Sequence, residues 1–262
     1  VEEWFDIEIK YSRTQRGYIV ADREGIDNMG MRKWLIQTFS VNNILHESQE
    51  LKNRILLENV PSGQQHLTII VDAMREGVAL SMTYHSFHRE EPSTFEVEPY
   101  CVKLFEQRWY MLGKSEGYDE LRLYALDRIK ALEPTERKFK LPNKFDAAKF
   151  FEDYYGIIIS DEDFDVEPVA LKVDSWQSKY LRTLPLHHTQ VEVERTDEYS
   201  IFEYRLCPSF DFQQKLLSMG DSAGVLAPVA LKDILRKKAE TTANNNASAG
   251  MGSGYHFKVY KK

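Results

Sequence analysis

The stretch Gln107-Arg108-Trp109-Tyr110-Met111-Leu112-Gly113, QRWYMLG, sets two large aromatic side chains next to each other, ahead of a glycine. In a strand, neighbouring side chains leave on opposite faces, so Trp109 and Tyr110 cannot both enter one core. With Trp109 inward, Arg108, Tyr110 and Leu112 share the other face. The stretch lies inside a run whose apolar period is two. Val78, Leu80, Met82 and Tyr84 alternate with Ala79, Ser81, Thr83 and His85, and Phe95 and Val97 alternate with Glu96 and Glu98. Leu121, Leu123 and Ala125 alternate with Arg122, Tyr124 and Leu126, and RIKAL closes the run. This is a pattern of about five short strands in roughly 60 residues. Connections as short as FEQR and GKSEGYD make the strands antiparallel neighbours, and closure into a small barrel would remove their exposed edges. Pro134 and Pro142 end the unit.

Outward from the barrel the period changes. Trp34, Leu35, Thr38, Phe39, Val41, Ile44 and Leu45 recur at helical spacing within 31–48, as do Leu67, Ile70, Val71 and Met74 within Gln64–Glu76, with Pro61-Ser62-Gly63 breaking the two apart. The opening FDIEIKYSRTQRGYIVAD reads as a hairpin turning over Arg13 to Gly17, and a chain that begins in mid-hairpin is expected to lack what precedes it. A short helix over Asp146–Tyr155 leads to the acidic run SDEDFDVE, a solvated linker. Then come strand (169–173), helix (175–184), strand (190–195), strand (200–207), helix (210–219), strand (224–227) and a C-terminal helix (230–239). The order βαββαβ is that of a ferredoxin-like sandwich. The tail TTANNNASAGMGSG is low in complexity and is expected to be flexible, and YHFKVYKK alternates like a strand.

The whole is an α+β chain with these expected parts: a hairpin at 1–24, a helical linker at 25–76, an antiparallel barrel at 77–140 and a linker helix with its acidic run at 141–167. A ferredoxin-like unit follows at 168–240 and a flexible tail at 241–262. Its 262 residues exceed what one compact domain needs. A net charge of −7 argues against indiscriminate coating of nucleic acid. Cys101 and Cys207 stand far apart with no partner at metal-ligand spacing, so neither a disulfide framework nor a zinc site is expected. No apolar run approaches the roughly 18 residues of a spanning helix, and the N-terminus lacks the order of a signal peptide, which places the chain in the cytoplasm and off the membrane.

Catalytic constellations are sparse. Cys101 with His85 would make a nucleophile and base only if the fold joined them, and a strand cysteine is ordinarily a small buried apolar group. His187 and His188 follow Pro185 at a helix-to-strand turn, where adjacent side chains diverge and a shared metal is not expected. Neither GxxxxGK[ST] nor GxGxxG occurs, so the phosphate cradles of nucleotide chemistry are missing. No enzyme, metal or cofactor is therefore predicted. Binding fares better: residues 101–140 hold nine basic side chains against seven acidic ones, the least acidic part of a chain that is otherwise strongly acidic. Arg122 and Tyr124 share one face of their strand. An aromatic ring beside a guanidinium is what a base and a phosphate require, although arginine beside tyrosine is also ordinary cross-strand packing. Lys10, Arg13 and Arg16 of the hairpin could likewise touch phosphates or merely solvate a turn.

RWYML, followed by LRLYALDRI, resembles the WYL-domain family, named for a Trp-Tyr-Leu triplet that here reads Trp109-Tyr110-Met111. IEIKYSRTQRGYIV is similar to the wing of a winged helix-turn-helix, and LPLHHTQ to the C-terminal extension often attached to a WYL domain, itself an Sm-like fold. The family members are mostly bacterial transcriptional regulators whose WYL barrel senses a ligand, in several cases thought to be single-stranded nucleic acid or a nucleotide. By position, the resemblance implies a pocket of Tyr84, Ser86, Trp109, Tyr110, Arg122 and Arg128, with Tyr110 offered to the ligand beside Arg122. Two departures stand out: Phe95 where many members place an arginine, and Ala125 where they have a basic residue. Fewer charges weaken polyanion binding, which points to a smaller or less charged ligand. The resemblance further implies a homodimer, DNA contact through a winged helix whose helices precede this chain, and transmission by population shift. The alternative is a stand-alone nucleic-acid-binding or assembly module without promoter function.

Overall fold

Apolar residues spaced by three and four build α1 (Leu67–Glu76), which buries Ile70 and Ala73 and ends at Gly77, whose left-handed φ of 62° lets its N–H return to the Ala73 carbonyl. A 3-10 turn, Gln64–His66, precedes it. The computed structural model describes residues 9–12, 17–20, 63–159 and 165–248, and the chain divides into two units, 1–59 and 60–262. In the first, β1 (Ile9–Ser12) and β2 (Gly17–Val20) pair antiparallel, Ile9 against Val20 and Ser12 against Gly17. The expected helix within 31–48, the turn holding Arg13 and Arg16, most of the acidic run and the final YHFKVYKK lie outside the described residues.

The second unit opens, after α1, with β3 (Val78–Tyr84), β4 (Ser93–Phe105), β5 (Arg108–Ser115), β6 (Arg122–Ala125) and β7 (Ile129–Lys138). They form one antiparallel sheet in the order β6-β5-β4-β3-β7. Strand β4 is long enough to serve both neighbours because its register shifts between Pro99 and Cys101, a bulge that bends it. Ile70, Leu80, Met82, Val97, Trp109, Met111, Tyr124 and Leu126 are core residues of this layer. Gly113, which ends the QRWYMLG stretch, pairs with Pro99 of β4, and a Cβ there would come within 2.7 Å of the Glu98 carbonyl oxygen. Only glycine permits that approach.

The expected closed barrel is not formed. Strands β6 and β7 occupy opposite edges of the sheet and do not pair, yet only the 3-10 turn Leu126–Arg128 separates them in sequence. The sheet must therefore curl until its edges lie within reach of three residues. What bridges the gap is not a backbone ladder: the Ala125 N–H donates to the Tyr84 hydroxyl at 3.2 Å, and the His85 N–H donates to the Arg128 carbonyl at 3.1 Å. With four residues, β6 is too short to serve a second neighbour along its length.

The expected helix over Asp146–Tyr155 shrinks to α2 (Ala147–Phe150), started by Asp146, whose carboxylate accepts from the Lys149 N–H at 3.1 Å. Phe150, Phe151, Tyr154 and Tyr155 then pack as an aromatic connection rather than a helical stripe. Beyond it, β8 (Glu167–Asp174), α3 (Gln177–Thr183), β9 (Val191–Arg195), β10 (Tyr199–Leu206), α4 (Phe210–Ser218) and β11 (Ala223–Ala227) follow in the strand-helix-strand-strand-helix-strand order that periodicity predicts. Their sheet is antiparallel, β11-β8-β10-β9. Val169, Leu171, Val173, Phe202, Leu206, Phe212 and Leu216 form its core. The last helix, α5 (Val229–Ser248), runs through residues expected to be flexible tail. Along its exposed end Thr241, Thr242 and Asn246 hydrogen-bond carbonyls four residues back.

A short bridge joins the two sheets of this unit. Lys103 Nζ of β4 donates to the Gly156 carbonyl at 2.5 Å, and the Asp211 carboxylate of α4 accepts from the Ile157 and Ile158 N–H groups at 2.7 and 2.8 Å. Phe105, Tyr155 and Phe212 follow one another edge to face, 5.6 and 5.8 Å between centroids.

A candidate ligand site on the WYL sheet

The end of β3 and the turn after β6 bring together part of the predicted set. Tyr84, 8% exposed, meets Tyr124 edge to face with centroids 5.3 Å apart. Burial pushes the Tyr84 phenol up, opposed by the charge of Arg128 and a hydrogen bond to it, and burial likewise raises Tyr124, opposed by its hydrogen bond to Ser115 at 2.8 Å. Both rings are therefore neutral phenols at physiological pH, held in fixed positions. Arg128 leaves the turn beside them and lays its guanidinium over Phe87, 3.7 Å from the ring centroid, and Phe87 is 76% exposed. On the other side of the tyrosine pair, Arg122 lies 3.4 Å from the centroid of Tyr118, which is 40% exposed. Each arginine thus has a ring against one face, a geometry in which the guanidinium keeps its charge and in-plane donors for an anion.

Two polar atoms in this turn have no partner. Arg128 Nε and Asp127 Oδ1 are buried without a hydrogen bond, while the other carboxylate oxygen of Asp127 stands 3.3 Å from Arg108 Nε. Buried polar groups are normally satisfied, and those that are not mark strain, function or a missing partner. Ser86 sits in the same loop, but its hydroxyl is engaged locally, accepting from the His88 N–H at 3.3 Å.

Of the remaining predicted residues, Trp109 packs in the same core cluster as Tyr84 and Tyr124. Tyr110 does not stand beside Arg122: cross-strand pairing sets Met111 opposite Tyr124 and Tyr110 opposite Ala125, so Tyr110 and Arg122 occupy opposite faces. That expectation is corrected by register, which one residue of slip would reverse. The residues that sequence reasoning missed are Phe87, Tyr118 and the Arg108–Asp127 pair. The rings come from loops, where no periodicity marks which side chain folds back. Arg13 and Arg16 lie outside the described residues.

The other candidates in the sequence are accounted for by packing. Burial pushes the Cys101 thiol up to about 11, which leaves almost no thiolate at neutral pH. His187 and His188 stack with centroids 4.3 Å apart, His187 bonded through Nδ1 to Thr189 at 2.8 Å and held below its ordinary value by burial. Among the described residues no cluster of His, Cys, Asp and Glu is arranged to hold a metal, and no helix is long and apolar enough to cross a membrane. A cleft of about 720 Å³ between the 146–154 connection and the Leu186–His188 turn includes none of the predicted ligand residues in its lining.

Two family models match the chain, a WYL domain over residues 65–134 and a WCX domain over residues 165–243. No curated protein matches it. Among solved structures it is similar to proteasome accessory factor B/C (PafBC) of Arthrobacter aurescens, at 21% identity and a TM-score of 0.31, over 70% of this chain and 27% of that one. A CRISPR Cas-related protein is similar at 14% identity and a TM-score of 0.40, over 70% of this chain and 51% of that one. The chain thus spans about a quarter of the first structure's length and about half of the second's. The curled sheet that carries the arginine and tyrosine strip coincides with the first matched segment and the four-stranded sheet with the second, so the chain carries a WYL domain followed by a WCX domain.

Proposed function

We propose that this chain is the sensing part of a ligand-responsive transcriptional regulator. An anionic effector, a nucleotide or single-stranded nucleic acid, docks on the strip Arg122, Tyr124, Tyr84 and Arg128, with Ser86 at its margin, and controls DNA contact by an N-terminal winged helix. The observation that carries the reading is Arg128: a guanidinium laid on an exposed ring, with a buried Nε that no group among the described residues satisfies. A phosphate offers the acceptor and a base offers the π-face, the two complements this arrangement holds in reserve. A second arginine, Arg122, lies on a ring in the same way, over Tyr118.

On this reading the protein works as a homodimer in the cytoplasm and is not an enzyme, and it needs neither metal nor cofactor. Arg13 and Arg16 of the wing meet DNA phosphates, and the 168–240 segment is a ferredoxin-like extension whose sheet order follows from its two crossover helices. The test is binding of a fluorescein-labelled oligo-dT by wild type and by an Arg122→Ala/Arg128→Ala variant across a salt series. Each lost phosphate contact lowers the logarithmic salt slope by about 0.7 for single strands, so the double variant should lose about 1.4 together with affinity. Identical slopes and affinities defeat the proposal.

A further inference from the structure

The turn that delivers Arg128 is gripped from a second direction. Gly63 holds φ at 70°, a left-handed conformation that costs glycine nothing. It lies so close to the turn that a Cβ in its place would stand 2.6 Å from the Asp127 nitrogen and nearer still to the Leu126 carbonyl carbon. Its own carbonyl accepts the His66 N–H at 3.0 Å, which closes the 3-10 turn ahead of α1. The His66 ring in turn hydrogen-bonds the backbone of Ile129. Residues Leu126–Arg128 are therefore held at one end by Gly63 and just past the other by His66.

From the same three residues Arg128 reaches Phe87 and Tyr84, and Asp127 reaches Arg108. A single turn of 3-10 helix has little slack. If Arg128 moves to give its Nε a partner, Leu126 and Asp127 must move with it. Gly63 is already in contact with both, and a close-packed contact passes displacement on rather than absorbing it.

We infer that the packed contact of Gly63–His66 with Leu126–Arg128 is a relay that couples occupancy of the Arg128 site to the turn ahead of α1. The inference rests on the binding reading above, and its failure is distinguishable from the failure of that reading. Coupling is reciprocal, so a change at Gly63 or His66 must alter affinity at Arg128 although neither residue belongs to the strip.

The experiment uses the full chain and a short fluorescein-labelled oligo-dT at fixed salt. Gly63→Ala and His66→Phe are each expected to weaken binding by about fivefold or more, the lower end of ordinary coupling. The oligo-dT is also expected to change amide exchange over Gln64–Leu67 in wild type and not in Arg128→Ala. If Gly63→Ala fails to fold, His66→Phe carries the test, since it keeps a ring and removes only the hydrogen bond. Should Arg128→Ala lose binding while the Gly63 and His66 variants bind as wild type does and amide exchange stays the same, the relay is refuted and the site stands. Should wild type ignore the oligo-dT, or Arg128→Ala bind equally well, site and relay fall together.

Discussion

Arg182, on α3 against the WCX sheet, and Arg122 and Arg128 of the WYL layer are used in opposite ways, although Arg137 of β7 in the WYL sheet also forks onto carboxylates, Glu96 and Glu98, at 2.6 Å each. In the WCX sheet Arg182 forks onto Glu192, with contacts of 2.6 to 3.2 Å, and reaches the buried hydroxyl of Ser200 at 2.9 Å. Neighbouring polar groups there are mostly closed off too: Ser178 donates to the Val173 and Asp174 carbonyls and Gln213 to Pro208, with Ser209 Oγ the exception. In the WYL sheet Arg122 and Arg128 lie on rings, and Arg128 Nε and Asp127 Oδ1 are left with no partner. A guanidinium bonded at both edges to a carboxylate has spent its directional capacity. One that rests on an aromatic face has kept it. The contrast is what the proposed function expects of a sheet that receives a ligand beside one that does not.

Core truncation gives the largest effect and separates the sheets as folding units. Phe202 and Leu80 are each fully buried, in different cores. Phe202→Ala should cost about 3–5 kcal/mol and Leu80→Ala about 2–5 kcal/mol in urea unfolding. If the sheets are functionally distinct, Phe202→Ala at a temperature where it stays folded leaves oligo-dT affinity unchanged, and Leu80→Ala lowers it. Equal losses of affinity would mean that the bridge through Lys103, Gly156 and Asp211 couples the layers too tightly for the contrast to hold. Next in size is Tyr84→Phe. The Ala125 N–H would lose its only acceptor in the gap between the sheet edges, and an unsatisfied buried donor costs about 1–3 kcal/mol. The loss should appear in thermal unfolding and in faster exchange of that amide, whereas Tyr204→Phe in the WCX core removes a half-buried bond to Gln190 and should cost less.

What the sequence disclosed follows from which forces act locally. The alternation around Trp109 and Met111 marks strand and core side because burial of alternate residues is written into the chain itself. The βαββαβ order was legible for the same reason. Whether the sheet closes was not, since the answer depends on a four-residue β6 and on a phenol standing in for a ladder bond. The arginine and tyrosine strip was half legible. Tyr84 and Arg128 meet as the family resemblance implies, but Tyr110 and Arg122 are separated by the pairing of Met111 with Tyr124, a register that neither strand specifies alone. Phe87 and Tyr118 carried no signal, because loop side chains that fold back under an arginine leave no period behind.

The smallest expected effect is also the sharpest test of the contrast, because it depends on pH. Hydrogen bonding to Arg182 holds the Glu192 carboxyl down at about 2, against an ordinary value near 4.5. A carboxyl whose folded value is depressed contributes stability above its unfolded value and loses it as the pH falls toward the folded one. Wild type should therefore lose urea stability between about pH 4.5 and 2 from this group, on top of what its other carboxylates contribute. Arg182→Ala starts lower at neutral pH and, lacking the depressed carboxyl, converges on wild type across that window. Arg122→Ala, whose guanidinium faces the ring of Tyr118, should differ from wild type by an amount that does not change with pH over the same range. Unfolding midpoints of the three proteins, measured in steps down the window, decide it. If Arg122→Ala converges as Arg182→Ala does, that arginine is satisfying a carboxylate after all, and the WYL sheet has no more cationic capacity in reserve than its neighbour.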